Sequence, residues 1–259
     1  NPIETYMVNT IGTANVLEAI RLLPNACVGI MVTTDKVYEN PERGTAFEES
    51  DKLGGYDPYS ASKATCEIVI DSYRNSFFNA QAFNTHKKSI ASVRAGNVIG
   101  GGDFSKDRLI PDLYRAITSE QNLLLRNPNA TRPWQHVLEP LSGYMAVAQE
   151  LYISGASGNN AWNFGPHITD IRSVQKVSEL FCSAWGCRDI LEYESINNLP
   201  HEAGSLSLDI SKAFFQLRWS PQWTLEQAVE KTANLYKEYF DGGDCLSKCA
   251  VQIDEYFDE

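Results

Sequence analysis

Tyr59 and Lys63 stand four residues apart. On a helix that spacing puts both side chains on one face. An ammonium beside a phenol favours the phenolate, so the pair can act as a base toward a sugar or alcohol hydroxyl near neutral pH. Taken alone, such a pair is more often an exposed pair of helix side chains than a catalytic one. Its context favours chemistry. Thr34-Asp35-Lys36 follows one apolar run and Asn97 follows another. Polar groups just past the carboxyl ends of buried strands lie where open α/β sheets place their ligands.

These groups need elements to position them. Residues 1–22 predict a helix, capped by Asn1, with Pro2 in the first turn and Ile3, Met7, Ile11, Ala14 and Leu17 at helical spacing. A second stripe, Val8, Asn15, Ala19 and Leu22, predicts packing on a sheet and on a partner helix. The continuous apolar run 27–33 predicts a strand buried on both faces. A polar loop with Pro41, Gly44, Gly54 and Gly55 leads to Asp57-Pro58, which opens a helix from Tyr59 to about Phe78. Residues 90–94 predict the next strand. The order helix, strand, helix, strand indicates an α/β fold with a doubly wound, Rossmann-type parallel sheet.

After Gly100-Gly101-Gly102 the texture changes. Helices over 110–118, 140–153, 171–185 and 225–239, with short strands at Leu123–Leu125 and Ala161–Phe164, suggest a smaller C-terminal substrate-binding lobe interleaved with the last sheet elements. The expected division is 1–102 and 103–259. The acidic stretch 241–259 is expected to wrap the surface.

The composition bounds the possibilities. The 259 residues are 43% hydrophobic and 21% charged, which excludes disorder and a fibrous repeat. The net charge of −11 disfavours nucleic acid, although a few arginines in a cleft still admit an anionic small molecule. The six cysteines form no C-x-x-C pair and the four histidines do not cluster with them, so no metal site is expected. Reduced thiols and a cytoplasmic location follow. No apolar stretch approaches the roughly 20 residues of a membrane span, and no leader opens the chain.

A doubly wound nucleotide fold normally carries G-x-G-x-x-G after its first strand. No such pattern stands in this sequence. The expectation is an N-terminally truncated sheet, with half of the dinucleotide site missing and the isolated chain inactive and poorly soluble.

Several stretches together resemble the extended short-chain dehydrogenase/reductases, and within them the nucleotide-sugar 4,6-dehydratases of the CDP-glucose branch. Residues 1–15 are similar to the interface helix of that superfamily, and Tyr59-Ser-Ala-Ser-Lys63 to its Y-x-x-x-K. Ser92-Val-Arg94-Ala-Gly-Asn97-Val-Ile-Gly-Gly-Gly-Asp103, Arg108-Leu-Ile-Pro-Asp112, Arg126-Asn-Pro and Arg132-Pro-Trp134-Gln-His136-Val-Leu-Glu-Pro-Leu-Ser-Gly143 are close to the dehydratase pattern. His201-Glu202-Ala203 and Trp219-Ser-Pro-Gln-Trp223 extend the likeness through almost the whole chain.

The resemblance implies NAD as cofactor, held near Thr33, Tyr59, Lys63 and Val98, and CDP-glucose as substrate. Tyr59 would take the 4-hydroxyl proton during oxidation at C4, with Thr34 bonded near that hydroxyl and Lys63 lowering the Tyr59 pKa. The C4 ketone would acidify C5. Water would leave across C5 and C6, with Asp35 as acid, and the hydride would return to C6 to give a 4-keto-6-deoxy sugar. Lys36 stands where the dTDP-glucose relatives carry glutamate, either as the C5 base or as an electrostatic stabiliser of the enolate. Arg132 would pair with the diphosphate, and Asn97, Arg108 and Leu109 would border the nucleotide sugar. A homodimer would form through helices 1–22 and 59–78. His136, Trp134, Trp219 and Trp223 read as packing residues, with His136 hydrogen-bonded. A 4-epimerase of the same scaffold would leave Asp35 and Lys36 without a task, and a non-catalytic binding or interaction module would need no glycine-rich turn.

Overall fold

A computed structural model describes residues 1–41, 44–187, 189–193 and 206–258. His201-Glu202-Ala203 lies outside them. The chain divides into two compact units, one of Asn1–Gly96, Leu141–Gly165 and Ser207–Ser220, the other of Asn97–Pro140, Pro166–Leu206 and Pro221–Glu259.

The first unit opens with helix α1 (Pro2–Tyr6), one π-helical turn (Met7–Ile11) and α2 (Gly12–Leu22). Then come β1 (Cys27–Val32), α3 (Pro58–Ser76), the short α4 (Phe83–His86) and β2 (Lys88–Ala95). The second unit begins with β3 (Val98–Ile99), α5 (Leu109–Thr118), β4 (Leu123–Leu125), β5 (Thr131–Arg132) and β6 (Gln135–His136). Helix α6 (Leu138–Ser154) carries the chain back toward β7 (Ala161–Phe164). Then follow β8 (Arg172–Ser173), α7 (Val174–Trp185), β9 (Leu191–Tyr193), α8 (Ser211–Leu217), α9 (Leu225–Phe240) and α10 (Cys245–Asp258).

The first unit's sheet has the order β1-β2-β7, parallel throughout. The pleat of β2 explains its composition. Ile90 packs with Leu17, Ile20, Cys66 and Ile70 of α2 and α3, while Ala91, Val93 and Ala95 face Val147 and Leu151 of α6 and Ala213 of α8. Helices therefore cover both faces, and all eight β2 residues are buried. The sheet is doubly wound, as expected from the sequence. β1 departs from expectation. It pairs only with β2 among the described residues, and Val32 is 52% exposed. A strand with one neighbour cannot bury both sides as completely as β2. Gly29 leaves room for the side chains packed on this strand, because a Cβ there would meet Ile90 Cδ1 of β2 at 2.8 Å and Ile20 Cδ1 of α2 at 3.1 Å.

The N-terminal stripes differ in burial within one copy of the chain. Leu17 and Ile20 are buried, while Ile3, Met7, Val8, Ile11, Val16 and Leu22 are exposed. The stretch 241–259 does not simply wrap the surface. Among its described residues α10 buries Tyr256, whose hydroxyl donates to Glu139 Oε2 (2.7 Å). In the second unit, α5, α7 and α9 close over Leu113, Phe181, Val229 and Tyr236. No described helix is long and apolar enough to cross a membrane.

Candidate active site

The site in the first unit grows from the end of β1 and the start of α3. Thr33 N–H donates to Val93 O (2.9 Å), prolonging the sheet by one residue. The chain then turns into a 3-10 turn, Asp35–Val37, capped by Thr34, whose Oγ1 accepts from Lys36 N–H (3.4 Å) and donates to Asp35 Oδ1 (3.0 Å). Thr34 and Asp35 are buried and Lys36 is exposed. Val37 packs with Ala64, the residue after Lys63, so this turn lies on α3.

The start of α3 is strongly specified. Asp57 accepts from the backbone N–H of Tyr59 (2.8 Å) and Ser60 (3.1 Å), and Ser60 returns the capping-box bond to Asp57 N–H (3.1 Å). Gly55 is required just upstream, because a Cβ there would lie 2.2 Å from Ala61 N. Burial raises the Asp57 carboxyl. The bonds from Ser60 and Tyr59 and the positive charge of Lys36 outweigh that and hold it below its ordinary range. Lys36 is thereby placed near the helix turn that carries Tyr59. Tyr59 is 42% exposed. One turn further on, Lys63 Nζ donates to Val32 O (3.3 Å), the last residue of β1.

Beneath this surface lies a network that sequence reasoning did not assign. Glu67, one turn after Lys63, accepts from Arg94 through both carboxylate oxygens (3.0 and 2.8 Å), from Thr33 Oγ1 (2.5 Å) and from Ser92 Oγ (2.7 Å). Glu67 is 1% and Arg94 3% exposed. Burial raises the Glu67 carboxyl, but the bonds from Arg94, its charge, Thr33 and Ser92 bring it below its ordinary value. Arg94 Nη1 also donates to Tyr38 Oη (2.7 Å), which donates to Asn163 Oδ1 (2.7 Å). Burial pushes the Tyr38 phenol up to about 12. The sequence carries only part of the signal: a guanidinium on a strand of an α/β sheet needs a counter-charge, and spacing does not say which carboxylate supplies it. The Thr33 hydroxyl is committed to this network.

The remaining candidates belong to the second unit. Asn97 O accepts from Gln135 N–H (3.0 Å) beside the β3–β6 pair. Val98 is 41% exposed on β3. Arg108 is exposed at the N-cap of α5, and Leu109 is half-buried against the unit's core. Arg132 is buried, with Nη1 donating to Thr131 O (2.8 Å). Directly across the antiparallel β5–β8 pair stands Arg172. Its Nη1 donates to the carbonyls of Thr169 and Ile171. Spacing along the sequence does not reveal this partner, because the two arginines meet only through strand pairing.

Trp134, Trp219 and Trp223 are all buried. His136 is buried against Trp223, with ring centroids 4.8 Å apart. Its Nδ1 accepts from Leu138 N–H (3.3 Å), while Nε2 has no hydrogen-bond partner among the described residues. The expected hydrogen-bonded role thus holds for one ring nitrogen only.

Comparison with known proteins follows the same lines. Residues 1–232 match the family model described as GDP-mannose 4,6 dehydratase. The chain is 45% identical over 257 residues to the CDP-glucose 4,6-dehydratase of Salmonella typhimurium, covering 98% of this chain and 71% of that protein. It superposes with a TM-score of 0.73 on a dTDP-glucose 4,6-dehydratase from Bacillus anthracis in complex with NAD, at 22% identity, covering 92% of this chain and 70% of that one. A UDP-glucuronic acid 4-epimerase from Bacillus cereus, in complex with UDP-glucuronic acid and NAD, also superposes with a TM-score of 0.73, at 20% identity over 90% of this chain and 68% of that one.

Proposed function

This chain belongs to the GDP-mannose 4,6 dehydratase family, and from that premise we propose that it serves the dehydration of CDP-glucose to CDP-4-keto-6-deoxyglucose. The observation that carries the substrate is the 45% identity to a CDP-glucose 4,6-dehydratase over 98% of the chain. The first unit carries the chemistry. Tyr59 takes the proton of the sugar 4-hydroxyl, and Lys63 supplies the neighbouring positive charge that favours the phenolate. Thr34 bonds near the same hydroxyl. Asp35 gives a proton to the C6 hydroxyl, which departs as water. Lys36 takes the C5 proton as base, or stabilises the enolate while that proton passes to solvent, and the hydride removed from C4 returns to C6. In the second unit, Arg132 pairs with the diphosphate, and Asn97, Arg108 and Leu109 border the nucleotide sugar.

The residues fit the nicotinamide end of NAD. An ammonium at an exposed strand end can donate to the ribose hydroxyls, and the phenol one turn away can take the proton of the substrate hydroxyl whose carbon gives up hydride. When bound, NAD supplies the acceptor and later the donor of the hydride. Thr33, Tyr59, Lys63 and Val98 are the residues proposed to lie against it.

A homodimer is part of the proposal. Ile3, Met7, Val8 and Ile11 on the first helical stretch and Ile68 on α3 are exposed and apolar. Such side chains support association of helices 1–22 and 59–78 with those of a second copy.

The test is incubation of the protein expressed from its full coding sequence with NAD and CDP-glucose, since the isolated chain, lacking the G-x-G-x-x-G turn, is expected to be inactive. A 4-keto-6-deoxy product, which absorbs in strong alkali, is expected. Conversion to a 4-epimer without that absorbance would favour the epimerase reading, in which Asp35 and Lys36 do nothing. No turnover would reject both.

A further inference from the structure

We propose that Glu67 and Arg94 are positioning residues for the Tyr59–Lys63 pair: their buried ion pair fixes Thr33, and through it the Val32 carbonyl on which the Lys63 ammonium rests. The inference rests on the reading of Tyr59 and Lys63 as the reacting pair.

Helix α3 is tied to two consecutive residues of the chain leaving β1. Lys63 reaches Val32 O (3.3 Å), and Glu67, one turn later, takes the Thr33 hydroxyl (2.5 Å). The second contact is buried and anchored, because Arg94 on β2 grips the same carboxylate with two N–H groups and Ser92 adds a third donor. The carboxylate thus accepts four bonds from three side chains on two strand segments. Packing alone does not call for such a pair. A buried ion pair often contributes no more stability than apolar residues of the same volume. What it adds is direction: a bidentate guanidinium admits one orientation of the carboxylate. That orientation sets the rotation of α3 against the strand end, and so the place from which Lys63 acts on Tyr59. Displacement of a reacting group by about 1 Å can cost about 100-fold in rate.

The experiment compares the wild-type protein with Glu67→Met/Arg94→Met, which removes both charges and leaves no buried ion uncompensated, and with Thr33→Val, which keeps the ion pair and cuts its link to the strand end. Thermal unfolding, kcat and KM for CDP-glucose are read together. The expected double variant unfolds close to the wild type, holds KM within about threefold and loses about 10- to 100-fold in kcat, with Thr33→Val losing less in the same sense. A kcat within about twofold of wild type in the folded double variant, or a loss confined to KM, overturns the proposal. If the double variant does not fold, Thr33→Val decides by the same criteria. If the wild-type protein dehydrates no nucleotide sugar, the proposed function falls, and Tyr59 alone decides. A 19F resonance from 3-fluorotyrosine at that position, assigned with Tyr59→Phe, must shift in the folded variant, and an unmoved resonance overturns the inference.

Discussion

The Lys63 ammonium rests 3.3 Å from the carbonyl oxygen of Val32, so a helix residue and the last residue of a strand share one contact at the edge of the sheet. Lys63 is thereby held one helical turn from Tyr59, with the strand end as its support. If this pair does the proton chemistry, Tyr59→Phe and Lys63→Met each lower kcat by about 10²- to 10⁴-fold. Both side chains are at least partly exposed, so unfolding free energy changes by only about 0.5 kcal/mol. Steady-state rates and urea unfolding of the same preparations check this. Full activity in Tyr59→Phe would remove the phenol from the mechanism.

Asp57 governs the turn that presents Tyr59. Its carboxylate holds two N–H groups of the first turn, one of them that of Tyr59 itself. Asp57→Ala is expected to cost about 1 kcal/mol of stability and to lower kcat with it. Asp57→Asn keeps an equally good cap and is expected to retain both. Equal loss in the two variants would show that the carboxylate charge beside Lys36, rather than the cap, is what matters.

Much of this arrangement was legible in the sequence. The Asp57 cap, the Tyr59–Lys63 spacing and the polar tripeptide after β1 are local features, and local features survive in one dimension. What was not legible depends on pairing between distant segments. β1 read as a fully buried strand because its composition is that of one, yet its burial is decided by how many strands flank it. The two stripes of residues 1–22 read as packing on a sheet and on a partner helix without showing which residues do which, and within one copy the core contacts come from Leu17 and Ile20. Glu67 and Arg94 escaped notice because each alone looks like a misplaced charge, and only the packing of α3 on β2 joins them. Arg172 meets Arg132 only through an antiparallel pair of two-residue strands.

Arg172 faces Arg132 across β5 and β8, so a diphosphate bound at Arg132 would meet a second positive charge. Arg132→Gln and Arg172→Gln are each expected to weaken CDP binding by about tenfold, or about 1.4 kcal/mol, while leaving cytidine binding unchanged. Titration calorimetry with CDP and with cytidine measures both. Equal effects on the two ligands would show that the arginines act on the fold and not on the phosphates.

The exposed apolar side chains of the first helical stretch predict association. Val8 is 67% and Met7 56% exposed, while Asn9 and Thr10 between the stripes bond to Ser62 of α3. Val8→Glu puts a charge into the proposed helix–helix contact without touching the core. Sedimentation is expected to show a dimer for the wild type and a monomer for Val8→Glu. A wild-type monomer at micromolar concentration would reject the interface.

His136 makes stability depend on pH. Burial, with the Lys231 charge adding to it, lowers its pKa to about 4 from the ordinary 6.5. Between those values the unfolded chain binds a proton at this residue and the folded chain does not. Stability therefore rises with pH across that window and is lost as pH falls from about 6.5 toward 4, by at most about 3 kcal/mol. Glu67 acts in the same direction at lower pH: its folded pKa is depressed, so its contribution is present above the ordinary carboxylate value and fades below it. The two windows are separable. His136→Phe keeps an aromatic ring against Trp223 and loses the acceptor for Leu138 N–H, which costs about 1 kcal/mol at all pH values. Its urea midpoint is expected to be nearly flat between about pH 4.5 and 6.5, where the wild type slopes. A wild-type slope that persists in His136→Phe would assign the titration to another group.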